Sequence, residues 1–330
     1  MSAPLRVGVL GCGSIAKRKA LPSLVACPGT VVAAVASRDK DKAARYAAEF
    51  GGEPVGYEEL LAHPGVDAVY LAVPTGLHHE WTRAALEAGK HVLAEKPLTT
   101  SAADTRELVE LAAARGLVLR ENFVFPHHAQ HRAVRELLAA GRIGEPRSFD
   151  AVFCIPPLPS TDVRYSPQLG GGALLDLGVY PIRAAQDLFG ELELVGACLR
   201  EDPGTGVDVG GSALLVSAGG VMVGVRFGLE HAYGSWYTAW GSTGRLLLDR
   251  AFTAPAGLEP VVRITDAQGE HEERLPADDQ FRRAFEAFAA QVREGRHEPD
   301  PATLRTAELV DEVRLSARRA SSAGSPGGLA

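Results

Sequence analysis

The stretch LRVGVLGCGSIAKRKA, residues 5–20, decides how the rest of the chain is read. A β-favouring apolar run, LRVGVL at 5–10, ends in GCGSIA at 11–16, which gives G-x-G-x-x-A with Gly11, Gly13 and Ala16 ahead of a helical segment. Glycines in a strand-to-helix turn permit a tight bend and a close approach of backbone to a pyrophosphate, whose charge meets the free N–H groups at the helix start. Alone the motif is weak, because small residues in such turns are often packing devices. Its place after the first strand of a βαβ unit makes it a dinucleotide-binding loop, with Gly11, Cys12, Gly13, Ser14 and Ile15 as the expected cofactor contacts.

Outward from that loop, short apolar runs alternate with amphipathic segments. Strands are expected at 5–10, 31–37, 67–73, 91–96 and 117–122, and helices near 14–27, 39–50, 78–88 and 101–115, with Gly29, Gly51, Gly89 and Gly116 where helices should stop. The strands read as near-continuously apolar, as strands buried on both faces must. This is an α/β chain whose residues 1–122 form a Rossmann domain with a doubly wound parallel sheet. After Asn122 the rhythm changes. A helix at 128–140, a strand at 147–154 and a Gly-opened helical segment at 171–189 precede β-type runs at 193–200, 208–217, 220–228, 233–240 and 244–249. Helices near 278–293 and 301–319 close the chain. Strands without intervening helices imply a large, open, mainly antiparallel sheet, so residues 123–320 read as an α+β domain and the Gly/Ser/Pro-rich 321–330 as a flexible tail.

Composition narrows the partners. A chain of 330 residues with 46% hydrophobic content is long enough for two cores without disulfides. Forty-one acidic residues against 34 basic ones, a net charge of −7 and no basic block argue against nucleic acid and anionic membrane surfaces. Cys12, Cys27, Cys154 and Cys198 form no C-x-x-C pair and read as free thiols, and no metal site is expected. The apolar segments are too short for a signal-peptide core or a membrane span, so a cytoplasmic protein is expected.

Which dinucleotide binds is decided after the second strand, where an NAD-binder places a carboxylate on the ribose 2′-hydroxyl. Here Ser37 and Arg38 stand there. Arg38 can meet a 2′-phosphate while Asp39 caps the next helix, which favours NADP(H). In the alternative, Arg38 is solvated and Asp39 turns to the ribose. AEKPL at 94–98 ends a parallel strand on the ligand side of the sheet, and Pro97 holds Lys96 extended.

With GCGSIA, the segments PTGLHH (74–79), AGKHVLAEKPL (88–98) and GGGALLDLGVYPI (170–182) resemble the glucose-fructose oxidoreductase and inositol dehydrogenase superfamily of NAD(P)-dependent dehydrogenases. The resemblance covers nearly the whole chain. It implies a Rossmann domain, a second domain whose open sheet serves oligomerisation into a homodimer or homotetramer, and an E-K-P motif at Glu95, Lys96 and Pro97, often with a cis Lys-Pro bond. More narrowly, RENFVFPHHAQHR (120–132), IPPLPSTDVRY (155–165) and EHAYGSWYTAWGSTGRL (230–246) are similar to the sugar 3-ketoreductases of nucleotide-linked deoxysugar pathways. Those enzymes reduce the 3-keto group of a TDP-linked 4-keto-6-deoxyhexose, usually with NADPH.

Asp176 and Tyr180 lie four apart on one helical face. Many superfamily members have histidine where this chain, like glucose-fructose oxidoreductase and the sugar ketoreductases, has tyrosine (Tyr180), so a His-based mechanism is out of reach there. A phenol, with a reference pKa of about 10, can protonate a developing alkoxide, and a neighbouring Lys96 ammonium would lower that pKa. Lys96 as the direct proton donor is the alternative. Pro181 should bend the helix, lacking the N–H that would bond back to Leu177. The resemblance further implies Pro74, Thr75, His78, Glu95, Lys96 and Asn122 near the cofactor. Asn122, Arg164, Tyr165, His231, Tyr233, Trp236 and Tyr237 are expected to bind the nucleotide sugar. The rival functions are an NADP-dependent dehydrogenase of a free sugar, polyol or trans-dihydrodiol, and a non-catalytic NADP-binding sensor.

Overall fold

A computed structural model describes residues 3–321, which group into two units: residues up to 127 together with 279–304, and residues 128–278 together with those from 305 on. In the first unit, β1 (Leu5–Leu10), β2 (Thr30–Ala36), β3 (Glu53–Val55), β4 (Ala68–Leu71), β5 (His91–Ala94) and β6 (Leu119–Glu121) form a parallel sheet ordered β3-β2-β1-β4-β5-β6. This is the doubly wound order, and the chain direction across the sheet reverses between β1 and β4, where such sheets bind ligands beyond the strands' carboxyl ends. Helices α1 (Leu21–Ala26), α2 (Lys40–Phe50), α3 (Tyr57–Ala62), α4 (His78–Glu87) and α5 (Ala102–Arg115) connect the strands. Caps begin two of them: Asp39 accepts the Lys42 N–H at 3.0 Å for α2, and Ser101 accepts the Asp104 N–H at 3.1 Å for α5.

The second unit contains α6 (Ala129–Ala139), β7 (Pro146–Cys154), α7 (Val179–Phe189), β8 (Leu192–Glu201), β9 (Asp208–Ser217), β10 (Met222–Gly228), β11 (Gly234–Gly241), β12 (Gly244–Asp249), β13 (Val261–Asp266) and β14 (Gly269–Arg274). After α8 (Gln280–Arg293) and α9 (Pro301–Ser316), β15 (Arg318–Ser321) completes a nine-stranded sheet ordered β14-β13-β12-β11-β7-β10-β9-β8-β15. Pairing is antiparallel except between β7 and β10 and between β8 and β15. Alternation along the strands gives the sheet two faces. Phe149, Ala151 and Phe153 of β7 and Val223, Val225 and Phe227 of β10 are buried on the side that α7 packs against, while Leu214, Met222 and Trp240 are exposed on the other.

The boundary expected at residue 122 is corrected by packing. Phe285, Phe288 and Ala289 of α8 are buried in the Rossmann core with Cys12, Leu21, Leu24 and Tyr70, and the Phe285 ring meets Tyr70 edge-on at 5.4 Å. Arg120 ties the same segment down, donating to Gln291 Oε1 at 2.8 Å and to the Glu298 carbonyl at 2.7 Å. Each buried phenylalanine contributes roughly 1.5–3 kcal/mol, enough to decide where a helix settles. The elements β3, α3, β13, β14 and β15 were not anticipated. Of the strands, β3 and β15 are short, β3, β14 and β15 lie at sheet edges, and β13 reads VVRITD with no continuous apolar run. The tail expected at 321–330 lies outside the described residues, except Ser321, which ends β15. No helix among the described residues is long and apolar enough to cross a membrane.

Candidate active site

At the end of β1, Gly11 has φ 110°, and a Cβ there would stand 2.5 Å from the Ala72 carbonyl oxygen, so the fold itself demands glycine. Gly13 is different. Its φ is not positive, and a Cβ would meet only the Ala72 oxygen at 3.5 Å, an ordinary contact. Among the described residues nothing requires glycine at 13, so there is room beside it for the close approach of a ligand. The Tyr46 hydroxyl on α2 donates to the Cys12 carbonyl at 3.1 Å, pinning the loop from behind, and Ser14 and Ile15 are exposed where the helix opens. Burial pushes the Cys12 thiol up to about 11, so Cys12 is a neutral packing group whose contribution is its backbone.

Beyond β2, Ser37 is buried and its hydroxyl accepts the Asp39 N–H at 3.2 Å. The Asp39 carboxylate is engaged in capping α2, and Arg38 is exposed. Tyr57 on α3 stands by Arg38: burial raises its phenol pKa and the Arg38 charge opposes the rise. The arrangement suits a 2′-phosphate better than a ribose diol.

At the ends of β4, β5 and β6, Pro74 and Thr75 lead through the single turn Thr75–Leu77 into α4. His78 is sealed from solvent, with Nδ1 2.8 Å from the Pro97 carbonyl and Nε2 2.9 Å from that of Val73. Burial lowers its pKa while the two carbonyls, each accepting only from a ring N–H, oppose the fall, and the ring braces the β4 loop against the Lys96-Pro97 turn. The Lys96-Pro97 bond is cis. Glu95 Oε1 accepts from the Tyr70 hydroxyl at 2.7 Å and from Asn122 Nδ2 at 2.8 Å. Burial raises the Glu95 pKa, and these two donors hold it back. Asn122 is 3% exposed, and its Oδ1 has no hydrogen-bond partner among the described residues. A buried orphan acceptor at the carboxyl end of the sheet is suited to an incoming amide or hydroxyl donor.

In the second unit, Leu174–Gly178 is a π turn running directly into α7, where the Val179 N–H reaches back to the Leu174 carbonyl. A break was expected at Pro181, but α7 runs through it unbroken, with the π turn Leu174–Gly178 immediately before. The Tyr180 ring stands edge-on to Phe153 at 5.0 Å and packs against Phe252 at 5.7 Å, which fixes the direction of its phenol. Asp176 accepts from Arg164 Nε at 2.5 Å, and Arg164 Nη1 donates to Asp162 at 3.1 Å. Burial opposes the Arg164 charge but the two carboxylates outweigh it, raising its pKa.

Arg164, expected to meet the nucleotide sugar, is ion-paired with Asp176 and Asp162 and so also clamps Asp176. Tyr165, in the same Val163–Tyr165 turn, is half-buried. Tyr237 is overturned as a ligand contact. It is fully buried, with its hydroxyl 3.0 Å from His131 Nδ1. Alternation explains this: Tyr237 faces α7, whereas Trp236 and Trp240 face the open side of the sheet. His231 and Tyr233 line a depression with Trp236 on that open side, and Tyr233 bonds Thr253 at 2.7 Å under the Arg250 guanidinium. Tyr46, Tyr70 and Tyr57 went unnoticed in the sequence, since a tyrosine among apolar or helical residues reads as core.

Two family models match the chain. One, described as an oxidoreductase family with an NAD-binding Rossmann fold, covers residues 5–123, and the other, the GFO/IDH/MocA C-terminal domain, covers residues 131–247. A Saccharopolyspora spinosa protein named dTDP-3,4-didehydro-2,6-dideoxy-alpha-D-glucose 3-reductase is 51% identical over 328 residues, 96% of this chain and 99% of its own. A Streptomyces violaceoruber protein of the same name is 52% identical over 326 residues, 95% of each chain. Among solved structures, KijD10, a 3-ketoreductase from Actinomadura kijaniata in complex with NADP and TDP-benzene, matches with a TM-score of 0.94 at 53% identity. That match covers 96% of this chain and 99% of that one.

Proposed function

The chain belongs to the GFO/IDH/MocA oxidoreductase family, and from that membership we propose a specific reaction for it. The protein is an NADPH-dependent 3-ketoreductase that converts a dTDP-3,4-diketo-2,6-dideoxyhexose to the 3-hydroxy-4-keto sugar, a step of deoxysugar biosynthesis. The observation that carries this is identity above 50% along nearly the full length with proteins of that named activity.

The residues present fit the cofactor. The loop Gly11–Ile15 would hold the pyrophosphate, Ser37 and Arg38 the 2′-phosphate, and Pro74, Thr75 and the orphan Asn122 Oδ1 the nicotinamide end, with His78 and Glu95 bracing those segments. When bound, NADPH supplies a hydride to the ketone carbon. Tyr180 gives its phenolic proton to the oxygen that becomes the 3-hydroxyl, and Lys96 orients the carbonyl and offsets the charge growing on that oxygen. Asp176, clamped by Arg164, keeps the turn before Tyr180 in place. If Tyr180→Phe transferred hydride at the wild-type rate while Lys96→Met lost it, the lysine would be the acid.

The TDP-sugar is the substrate. Its binding is assigned to Lys96, Asn122, Tyr165, Asp176 and Tyr180. The exposed apolar residues Val195, Leu214, Met222 and Trp240 on the open sheet face support self-association as a homodimer or homotetramer. A cytoplasmic location suits an enzyme fed by NADPH. The test is loss of NADPH absorbance with dTDP-3,4-didehydro-2,6-dideoxyglucose generated in situ, and competition by TDP. Turnover insensitive to millimolar TDP would favour a free-sugar dehydrogenase and overturn the proposal.

A further inference from the structure

The helical segment that carries Asp176 and Tyr180 starts against a carboxylate that the proposed chemistry leaves unused. Asp208, the first residue of β9, accepts the Leu174 N–H on Oδ2 at 2.6 Å. Its other oxygen occupies the space a side chain at residue 172 would need: a Cβ on Gly172 would lie 2.4 Å from Asp208 Oδ1, and Gly172 has φ 118°. Gly172 in turn donates its N–H to the Arg164 carbonyl at 2.9 Å and accepts the Asp176 N–H at 3.1 Å. One carboxylate thus seats the glycine turn and the first turn of the segment, and the same turn connects to both partners of the Arg164–Asp176 pair. We propose that Asp208 is a positioning residue of the reductase: it anchors the segment Gly172–Tyr180 and so sets where Asp176 and Tyr180 stand. The proposal rests on the reading of those two residues as catalytic.

The surroundings make the anchor titratable. Burial pushes the Asp208 carboxyl up to about 6, against the pull of the Leu174 N–H and of Arg314 on α9 and Arg319 on β15. Glu201, the cross-strand partner on β8, is ion-paired with Arg319 at 2.7 Å, and on the helix side Arg164 pairs with both Asp176 and Asp162, a cluster that keeps one net negative charge. A carboxylate near the start of a helix is favoured by the exposed N–H groups and loses that interaction when protonated.

The experiment compares wild type, Asp208→Asn and Asp208→Ala for kcat, both KM values and amide hydrogen exchange at 172–178, from about pH 5 to about pH 8. Asp208→Asn mimics the protonated anchor. Its kcat should fall about tenfold at pH 7.5 and stay flat across pH 6, while wild-type kcat descends toward it below pH 6 and both KM values move less than about threefold. Asp208→Ala should lose on the order of 10²-fold in kcat, as expected for a small displacement of reacting groups. Exchange of the Leu174 amide should quicken in both variants. Wild-type kcat in Asp208→Asn, an unchanged acid limb, or a change confined to KM would overturn the proposal. If Asp208→Ala does not fold, Asp208→Asn decides. If wild type turns over no TDP-keto sugar, it is the reductase reading that fails, and the exchange comparison still tests the anchor.

Discussion

Acid should loosen the packing beneath Tyr180 through a residue that touches no substrate. His131 on α6 is 3% exposed, with Nδ1 3.0 Å from the Tyr237 hydroxyl and Nε2 2.8 Å from the Ala251 carbonyl. One neutral tautomer satisfies both: Nε2–H donates to the carbonyl and Nδ1 accepts from the phenol. Burial lowers the His131 pKa to about 3 from its ordinary 6.5. The unfolded chain therefore takes up this proton near pH 6.5 and the folded chain does not until about pH 3. Stability is complete above 6.5 and falls as pH drops, by about 1.4 kcal/mol per unit. Between pH 6.5 and 4.5 the loss is about 2.7 kcal/mol, a large part of a typical domain's 5–15 kcal/mol. The effect reaches the phenol because Tyr237 packs on Phe252 at 6.4 Å and Phe252 on Tyr180 at 5.7 Å.

The assay is urea unfolding followed by tryptophan fluorescence in a Trp81→Phe background, so that Trp236 and Trp240 report on the second unit. His131→Gln should be less stable by about 1–3 kcal/mol at pH 7.5, having stranded two buried partners. That gap should then close by about 1.4 kcal/mol per unit below pH 6.5. Parallel curves for the two proteins down to pH 4.5 would refute the reasoning.

The two loop glycines should separate fold from ligand. Gly11→Ala costs roughly 1–3 kcal/mol in strain and lowers the melting temperature, whereas Gly13→Ala melts like wild type and weakens NADPH binding at least about tenfold by fluorescence titration. Equal melting losses would remove the argument that Gly13 answers to a ligand. Arg38→Ala should lower kcat/KM for NADPH by about 10- to 100-fold, the loss of a charge-assisted contact, and leave the value for NADH unchanged; a parallel loss for both coenzymes would return the 2′-position to Asp39. Phe288→Ala should destabilise the first unit by about 3–5 kcal/mol, seen as faster amide exchange in β1 and β4, and exchange quickened only in β7–β13 would contradict the placement of α8.

What could be read from sequence followed the range of the interaction. The Gly11–Ile15 loop, the Asp39 cap and the E-K-P turn are specified by neighbours within a few residues, so their residue types carry the reason for their presence. The docking of α8 is specified by Phe285 and Phe288 meeting Tyr70 and Leu24 from more than two hundred residues away, and nothing near 285 marks which core it will join. The pairing of Arg164 with Asp176 was hidden for the same reason: it is set by the fold of the loop between them. Tyr237 was open to a better reading. In the run GSWYTAW the period of two already separates Tyr237 from Trp236, so one ligand on a single sheet face could not have used both.

The functional groups and their anchors obey different rules, and that difference explains which were found. Lys96, Arg38 and Tyr180 stand at the ends of elements, beside prolines and turns that break the pattern and draw attention. Tyr46, Tyr70 and His131, inside helices and strands, and Asp208, at the start of β9, hold loops and packed side chains in place through hydrogen bonds to other elements. An anchor therefore looks like core until its hydrogen bond is located. The same logic says how anchors fail: removing one leaves the ligand contacts present but displaced, so kcat falls while KM stays nearly constant. Loss of a direct contact, as proposed for Arg38, would do the reverse. The split between kcat and KM across these positions is thus a measurable consequence of how the two kinds of residue are distributed along the chain.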